Sequence, residues 1–421
     1  MVKKAITPIR RIWLCASNST HLAMWSSVAR CLRARNGYSF LDLLSLGAYY
    51  GPIKAAGRGL GWRCIELPRQ GTRKPYWDCN ILERTRAALD AKRHIAALMK
   101  DRPPALIVLG NDIGIIESLI IAAARSGAAK TLLVQDGILG SQDRERPGIR
   151  AWIRRATRAA LGLPTGTLYG SGGTDMIAVM GGRGQQWMSA RGVDPQRIVI
   201  TGQPRYDVLV RNEPRGRSGG GAHHKPQGWG GRSRLVGIFS QPMMRYNYER
   251  PQRWDVIMRA ILTAVTQLGL SYSAVVKLHP AEVRSEFLKR YRTLLKIGRI
   301  RLLQHEDSAA VLRAIDLAIV HTSTVGLEAM FLGKPVILYS PDAAQDPYGF
   351  IEMRAALAAS TPADLLTSIR TAFEDPIISL RLLAGRRKAI AAHAGKLDGR
   401  SSERVANLVA AMIGFSGAQK P

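Results

Sequence analysis

The sequence is short of acidic residues. Only 31 of its 421 residues are Asp or Glu, against 61 Lys or Arg, which gives a formal net charge of +30 at pH 7. So large an excess of positive charge predicts an anionic partner, which could be a nucleic acid, an acidic membrane surface, or a phosphorylated or acidic substrate. The charge alone does not choose among these classes.

Cysteines and long apolar runs are also scarce. The four cysteines, Cys15, Cys31, Cys64 and Cys79, form no CxxC pair, which argues against a zinc site and a disulfide framework. No apolar run is long enough to span a bilayer, and the first twenty residues lack both a long apolar core and a small-residue cleavage site. We therefore expect a cytoplasmic protein, with the inner face of the plasma membrane as the alternative location.

Two common nucleotide-binding signatures are missing as well. No GxGxxG follows the first predicted strand, and the sequence contains no GxxxxGK[ST]. Their absence argues against a dehydrogenase and against a P-loop NTPase. No carboxylate pair of the DxD type stands at a predicted strand end either. We therefore expect a function that needs neither a cofactor nor a metal ion.

The residues that are present predict two α/β domains. A chain of 421 residues is too long for one hydrophobic core, and predicted strands and helices alternate along it, which indicates parallel sheets. Residues 214–233 are rich in glycine and have no apolar periodicity, so we expect a linker there. The predicted domains are residues 1–213 and residues 234–421, the second including the closing helices.

Three polar turns follow predicted strands of the first domain. They are Ser17–His21, Gly110–Asp112 and Gln135–Gly137. Parallel strands end at the same edge of a sheet, and ligands of doubly wound folds bind at that edge. The three turns therefore predict the rim of an active site.

A fourth polar turn lies in residues 318–339, AIVHTSTVGLEAMFLGKPVILY, which predict a strand, a short helix and a second strand. Hydroxyls of Thr322, Ser323 and Thr324 are candidate helix caps, and a helix start of this kind suits a phosphate. Glu328 would repel a phosphate but would suit the diol of a ribose. The turn therefore indicates a nucleotide, although an ordinary capped turn with a solvated Glu328 explains it equally well.

Residues 144–160 predict a basic amphipathic helix that could contact an anionic membrane. Two other interpretations remain: a helix packed on the sheet with a solvated basic face, and a grip on an anionic acceptor polymer. The expected apolar face carries Ile149, Trp152, Ile153 and Ala156, and the expected basic face carries Arg150, Arg154, Arg155 and Arg158.

Four segments resemble GT-B glycosyltransferases, in particular those of bacterial capsule and other surface polysaccharides. They are GVDPQRIVITGQPRYDVL (192–209), VVKLHP (275–280), HTSTVGLEAMFLGKPV (321–336) and LDGRSSERV (397–405). This group includes capsule Kdo transferases and CDP-glycerol glycerophosphotransferases, with UDP-N-acetylglucosamine 2-epimerases as more distant relatives. The resemblance implies two Rossmann-like, doubly wound domains that face a cleft.

The resemblance also implies a donor site in the second domain. Ser323 and Thr324 would hold the donor phosphates and Glu328 the ribose, while His279, with Lys277, would stabilise phosphate charge. The implied donor-binding residues are Gln241, Lys277, His279, His321, Thr322, Ser323, Thr324, Gly326 and Glu328.

The implied catalytic base differs from the one that is usual in the group. The related sequences often carry Gln-His-Gly where this chain has Gln135-Asp136-Gly137. An aspartate is a weaker base than histidine unless burial or a neighbouring carboxylate, such as Asp112, raises its pKa. The catalytic candidates are therefore Asp136, Asp112 and His279. The acceptor-side candidates are Asn18, His21, Asn111 and Gln135.

The function that the resemblance implies is transfer of a sugar or polyol-phosphate from a nucleotide-activated donor to a surface-polysaccharide or lipid-linked acceptor. A UDP-sugar 2-epimerase or hydrolase is one alternative, disfavoured because the first strand leads into ASNSTH and not into a basic GTRPE-type turn. A non-catalytic protein that binds an anionic polymer or nucleic acid is another. Aromatic residues do not alternate with the basic ones, so we expect no nucleic-acid partner.

Overall fold

The computed structural model describes most of the chain as two compact units. The described residues are 11–34, 41–46, 53, 62–68, 80–140, 149–163, 168–211, 233–241, 251–280, 282–341 and 346–414. The first unit comprises Met1–Val208 together with His393–Pro421, and the second comprises Leu209–Ala392. Residues 214–232 of the predicted linker lie outside the described residues.

The first unit contains a parallel sheet of seven described strands. The strands are Ile12–Ala16 (β1), Leu41–Ser45 (β2), Arg63–Glu66 (β3), Leu106–Leu109 (β4), Lys130–Val134 (β5), Met176–Val179 (β6) and Ile198–Ile200 (β7). The helices that accompany them are Ser19–Arg33 (α1), Ile81–Asp101 (α2), Ile115–Ser126 (α3), Ile149–Ala160 (α4), Gly182–Ser189 (α5) and Asp207–Arg211 (α6). The strand order is β3-β2-β1-β4-β5-β6-β7, so the direction of winding reverses between β1 and β4.

The second unit repeats this plan with six described strands. The strands are Arg234–Phe239 (β8), Tyr272–Lys277 (β9), Ile300–Leu303 (β10), Leu317–Val320 (β11), Val336–Tyr339 (β12) and Leu357–Ala359 (β13). The helices are Pro251–Thr266 (α7), Arg284–Ile297 (α8), Ser308–Ala314 (α9), Val325–Phe331 (α10), Pro362–Glu374 (α11) and Pro376–Ala394 (α12). The order β10-β9-β8-β11-β12-β13 places the reversal between β8 and β11.

Burial on both faces explains why the central strands are apolar at nearly every position. In β1, Ile12 and Leu14 contribute to a core with α1 on one face of the sheet. Trp13 and Cys15 contribute to a second core, with α2 and α3, on the other face. A strand covered on both faces has no polar side, and this produces the continuous apolar run that the sequence shows. The predicted α/β class with doubly wound sheets is confirmed.

The end of the chain returns to the first unit. The last described helix, Ser401–Met412 (α13), packs on α1, and its apolar residues complete the core below β1. The buried carboxylate of Asp207 accepts hydrogen bonds from the N–H groups of Ser401 at 2.9 Å and Ser402 at 2.7 Å. This differs from the expected boundary, which grouped the closing helices with residues 234–421, because the apolar partner of α13 is α1.

One further strand and the search for membrane spans complete the description of the fold. The strand β13 was not predicted, because its three residues are too few to show a pattern. In the described part of the chain, no helix combines the length and the apolar character that crossing a membrane would require.

We predict that Asp207→Ala lowers the free energy of unfolding by about 3 kcal/mol, because it leaves two buried N–H groups at a helix start without an acceptor. Urea denaturation measures the change. Asp398→Ala is the matched control, since Asp398 pairs with Arg404 at 2.8 Å in an exposed position and its loss should cost under about 1 kcal/mol. Equal losses for the two variants would contradict the anchoring role of Asp207.

Candidate functional site

The carboxyl ends of β1 and β5 bring His21 and Asp136 together. Asn18 caps α1, its side chain accepting the N–H of His21 at 2.9 Å, and the imidazole of His21 is buried, with 2% of the residue exposed. Its Nδ1 accepts the backbone N–H of Ser17 at 3.2 Å. Because a backbone N–H only donates, the ring proton lies on Nε2, 3.3 Å from Oδ2 of Asp136. The imidazole therefore donates a hydrogen bond to this carboxylate.

Glycine at position 110 lets the ring of His21 reach Asp136. A Cβ at Gly110 would lie 2.4 Å from Nε2 of His21, which is too close for any side chain. The carbonyl of Gly110 also accepts the hydroxyl of Tyr169 at 2.9 Å. Burial, together with the carboxylates of Asp136 and Asp112, raises the pKa of Tyr169 well above its usual value, so the hydroxyl stays protonated as a donor. The residues around His21 thus fix its position on several sides.

Asp112 holds a loop and faces no solvent. It is fully buried, and its two oxygens accept the N–H groups of Gly170 at 3.1 Å and Gly172 at 2.7 Å. Burial raises its pKa to about 6, and these hydrogen bonds act in the opposite direction. Since both oxygens are engaged with the 170–172 backbone, we no longer place Asp112 among the catalytic candidates.

Gln135 and Asn111 shape the turns in which they lie. Gln135 is buried; its side chain donates to the carbonyl of Gly137 at 2.7 Å and accepts the N–H of Met180 at 3.0 Å. Asn111 accepts the N–H of Ile113 at 3.3 Å. These contacts support the turn before and after Asp136 and the loop after β4. The side chain of Asp136 itself is 35% exposed at this edge.

The helix α4 packs differently from the expected arrangement of faces. Arg158, expected on the solvated basic face, is fully buried and donates to the carbonyl of Ile113 at 2.9 Å and to the hydroxyl of Ser118 at 2.8 Å. That prediction was wrong because these two acceptors lie under the helix. Trp152, expected on the packed or membrane-facing side, is 68% exposed. The membrane contact through residues 144–160 stays a prediction.

In the second unit, the turn after β11 is tied to the turn after β8, at the point where the strand order reverses. The side-chain oxygen of Gln241 accepts the N–H of Thr322 at 3.2 Å, and the hydroxyl of Tyr348 donates to the carbonyl of Thr322 at 3.0 Å. Ser323 accepts the N–H of Val325 at 3.3 Å, whereas Thr324 makes no side-chain cap. One of the three expected hydroxyl caps is therefore present, and it belongs to Ser323.

Glu328 and His321 are both buried near this turn. Glu328 lies in the first turn of α10 and is 9% exposed, so the interpretation as a solvated glutamate was wrong. Gly326 in the same turn lies against Phe350, where a Cβ would come within 3.4 Å. The Nδ1 of His321 donates to the carbonyl of Tyr339 at 2.7 Å, which places this ring as a link between β11 and β12. Carboxylates are rarely buried unless they are paired or hydrogen-bonded, and Glu328 is the buried carboxylate beside this turn.

Lys277 does not present its charge at the edge. It is buried, and its ammonium donates to the carbonyls of Leu278 at 3.2 Å and Gln304 at 2.8 Å. Burial lowers its pKa, while the nearby acids Glu306, Asp307 and Glu282 act in the opposite direction. The ammonium is hydrogen-bonded to strand-end carbonyls, so we no longer expect Lys277 to contact phosphate. The next strand-end residue, His279, has an exposed side chain.

Glu282 is a residue that the sequence did not single out. Its carboxylate accepts the hydroxyl of Ser240 at 2.7 Å and the N–H of His279 at 2.8 Å, and its carbonyl accepts the side chain of Gln304 at 2.7 Å. It thereby joins the ends of three neighbouring strands. Burial raises its pKa to about 7, against the lowering effect of these hydrogen bonds and of Lys277. The sequence signal that could have identified Glu282 is its position three residues after His279, at a predicted strand end.

The raised pKa of Glu282 predicts a pH-dependent stability. The unfolded chain loses this proton near pH 4.5 and the folded chain near pH 7, so the folded state loses up to about 3 kcal/mol of stability as pH rises through this window. A glutamine at position 282 does not titrate, so the free energy of unfolding of Glu282→Gln should rise relative to that of the wild type as pH rises. Urea denaturation across the window measures it.

Glu286→Gln, at an exposed acid on the next helix, is the control for the removal of one negative charge. A difference in stability between Glu282→Gln and wild type that is the same at both ends of the pH window would contradict the raised pKa.

Among the described residues, no three His, Cys, Asp or Glu side chains cluster as metal ligands do.

Solved structures match the chain along nearly its whole length, although no protein-family model and no curated protein matches it. A UDP-N-acetylglucosamine 2-epimerase has a TM-score of 0.65 at 14% identity, covering 98% of both chains. The UDP-GlcNAc 2-epimerase of Neisseria meningitidis, bound to UDP-GlcNAc, has a TM-score of 0.62 at 12% identity, over 95% of this chain and 98% of that one. The glycotransferase of kitacinnamycin has a TM-score of 0.62 at 18% identity, over 97% and 100%. At these identities the likeness concerns the fold, and the chain has the GT-B-like α/β fold of these proteins.

Proposed function

We propose that this protein transfers a sugar or a polyol-phosphate from a nucleotide-activated donor to a hydroxyl of a surface-polysaccharide or lipid-linked acceptor. The observation that carries the proposal is the pair formed by Asp136 and His21, in which a buried imidazole holds a solvent-accessible carboxylate at a strand-end edge. A positioned carboxylate of this kind can take the proton of an attacking hydroxyl. The UDP-sugar enzymes among the structural matches support the donor class.

In the proposed reaction, Asp136 accepts the proton of the acceptor hydroxyl while the hydroxyl oxygen bonds to the donor carbon or phosphorus. The bond from that atom to the nucleotide phosphate breaks, and the nucleotide leaves with the electron pair. His21 keeps Oδ2 of Asp136 in place through its Nε2–H, which leaves Oδ1 for the hydroxyl. Holding the carboxylate in one orientation lowers the entropic cost of reaching the transition state.

The donor would bind at the carboxyl edge of the second sheet. Glu328, a buried carboxylate beside the turn after β11, would accept the hydroxyls of the ribose. His279, exposed at the end of β9, would contact the phosphates. The bound ligand of the Neisseria meningitidis structure supports a UDP-linked donor as the first compound to test.

A second candidate function is epimerisation or hydrolysis of a UDP-sugar, which two of the structures described above, both 2-epimerases, favour. Incubation with UDP-GlcNAc alone separates the two functions. Release of UDP, or inversion at C2 of the sugar, without any acceptor would support the second candidate. Turnover that appears only when an acceptor is added supports transfer.

Glu328→Gln should weaken UDP binding about 10- to 100-fold, because an amide replaces a charged acceptor, and hydrogen bonds to charged groups contribute about 1.5 to 3 kcal/mol. Isothermal titration calorimetry measures the affinity, and the melting temperature shows that the variant is folded. Glu352→Gln, an exposed acid of the same unit, should bind as the wild type does. Unchanged affinity in Glu328→Gln would refute its contact with the ribose.

Asp136→Asn should lower kcat about 10²- to 10⁴-fold, the range that general bases contribute, and should leave UDP affinity unchanged because Asp136 lies outside the proposed donor edge. Initial rates at saturating donor measure kcat. Asp194→Asn, an exposed acid of the same unit, serves as the control and should keep full activity. Wild-type turnover by Asp136→Asn would reject this residue as the base.

A further inference from the structure

A dense positive charge in the described part of the second unit follows the helix α8. Residues 284–301 contain seven basic residues and one acid, Glu286. All seven are exposed. We call them the α8 basic surface, and they are Arg284, Lys289, Arg290, Arg292, Lys296, Arg299 and Arg301. They flank β10, which is the edge strand of the sheet.

Four of these residues form one row. Lys289, Arg292, Lys296 and Arg299 are separated by three, four and three residues, the spacing that places side chains on one helical face, with Arg299 just beyond the helix end. Ten residues of helix extend over about 15 Å. The opposite face of α8 is buried in the core of the unit and consists of Phe287, Tyr291 and Leu295.

Helix stability does not explain this row. The side chains of Lys289, Arg292, Lys296 and Arg299 form no ion pair or hydrogen bond with any described residue, so like charges three or four residues apart repel one another. By contrast, Arg259 on the neighbouring α7 pairs with Asp255 at 2.7 Å. A cation near the end of α8 is favoured by the helix dipole, but Lys289 lies in its first half. An external anion would remove the repulsion.

The shape of the surface indicates a linear polymer. An interfacial helix needs a continuous exposed apolar face to insert into a bilayer. Phe287, Tyr291 and Leu295 of α8 are buried, and its exposed Leu288 and Ile297 are nine residues apart, on opposite sides of the helix. Binding of single-stranded nucleic acid needs exposed aromatic rings for stacking, whereas the aromatic residues of α8, Phe287 and Tyr291, are buried. A row of cations without such rings fits repeated carboxylates or phosphates along a chain.

We propose that the α8 basic surface binds a linear anionic polysaccharide. This inference rests on the proposed function, since such a polymer is the growing acceptor that a transferase of surface glycans would hold. A row of equivalent cations can bind any stretch of a repeating polymer, so the polymer can move along the row without being bound by its end. The affinity should depend steeply on salt, because each neutralised charge releases counterions.

The test compares two triple variants that lower the net charge equally. One is K289E/R292E/K296E on the α8 basic surface. The control is R381E/R387E/K388E on α12, where three cations are also exposed and no acid lies between them. The probe is fluorescently labelled polygalacturonate, a linear polycarboxylate, and fluorescence anisotropy reports binding at several salt concentrations. Melting temperatures show that both variants are folded.

We expect the α8 variant to bind polygalacturonate at least about 10-fold more weakly than the wild type at low salt. The slope of log affinity against log salt concentration should decrease by about two to three units, one for each lost contact, and the α12 variant should bind nearly as the wild type does. Equal weakening of both variants, or unchanged binding of the α8 variant, would overturn the proposal. So would selective loss of binding to phosphatidylglycerol vesicles with retained polygalacturonate binding. UDP affinity, measured separately, should be unchanged in both variants. A wild-type protein that does not bind UDP would refute the proposed donor site but not the polymer site.

Discussion

Both sheets are parallel and covered by helices on two faces, and this constraint determines where polar chemistry is available. A strand buried on both faces carries few polar side chains, so most charged and hydrogen-bonding groups collect where strands end. In the first unit His21 and Asp136 meet at such ends, and in the second unit Glu328 and Glu282 lie there. The reversal of strand order opens the space beside each of these edges.

The same constraint explains what the sequence predicted well. Continuous apolar runs followed by polar turns located the central strands, the α/β class and the turn at 322–324. It also located Asp136 and Glu328, because both stand directly after or near such runs. Periodicity depends on local sequence, so these features needed no knowledge of the distant chain.

Features that depend on tertiary partners were not predictable in this way. Arg158 and Lys277 appeared as surface or ligand-binding cations, yet each is buried against backbone carbonyls that only the folded chain brings near. Asp112 appeared as a partner for Asp136 and instead holds the 170–172 backbone. Glu282 gave no pattern, because its partners Ser240 and Gln304 come from other strands. Charge in a sequence thus shows where a site is possible, and only the contacts show which charges remain accessible.

The return of α13 makes the second unit an insertion within the first. The core below β1 includes Val405, Ala406 and Val409, which are among the last described residues to leave the ribosome. The core cluster around the second sheet consists of residues from 236 to 372, so it can be complete while the first unit still lacks a side of its own core. The core of the unit that is begun first is therefore completed after that of the second unit.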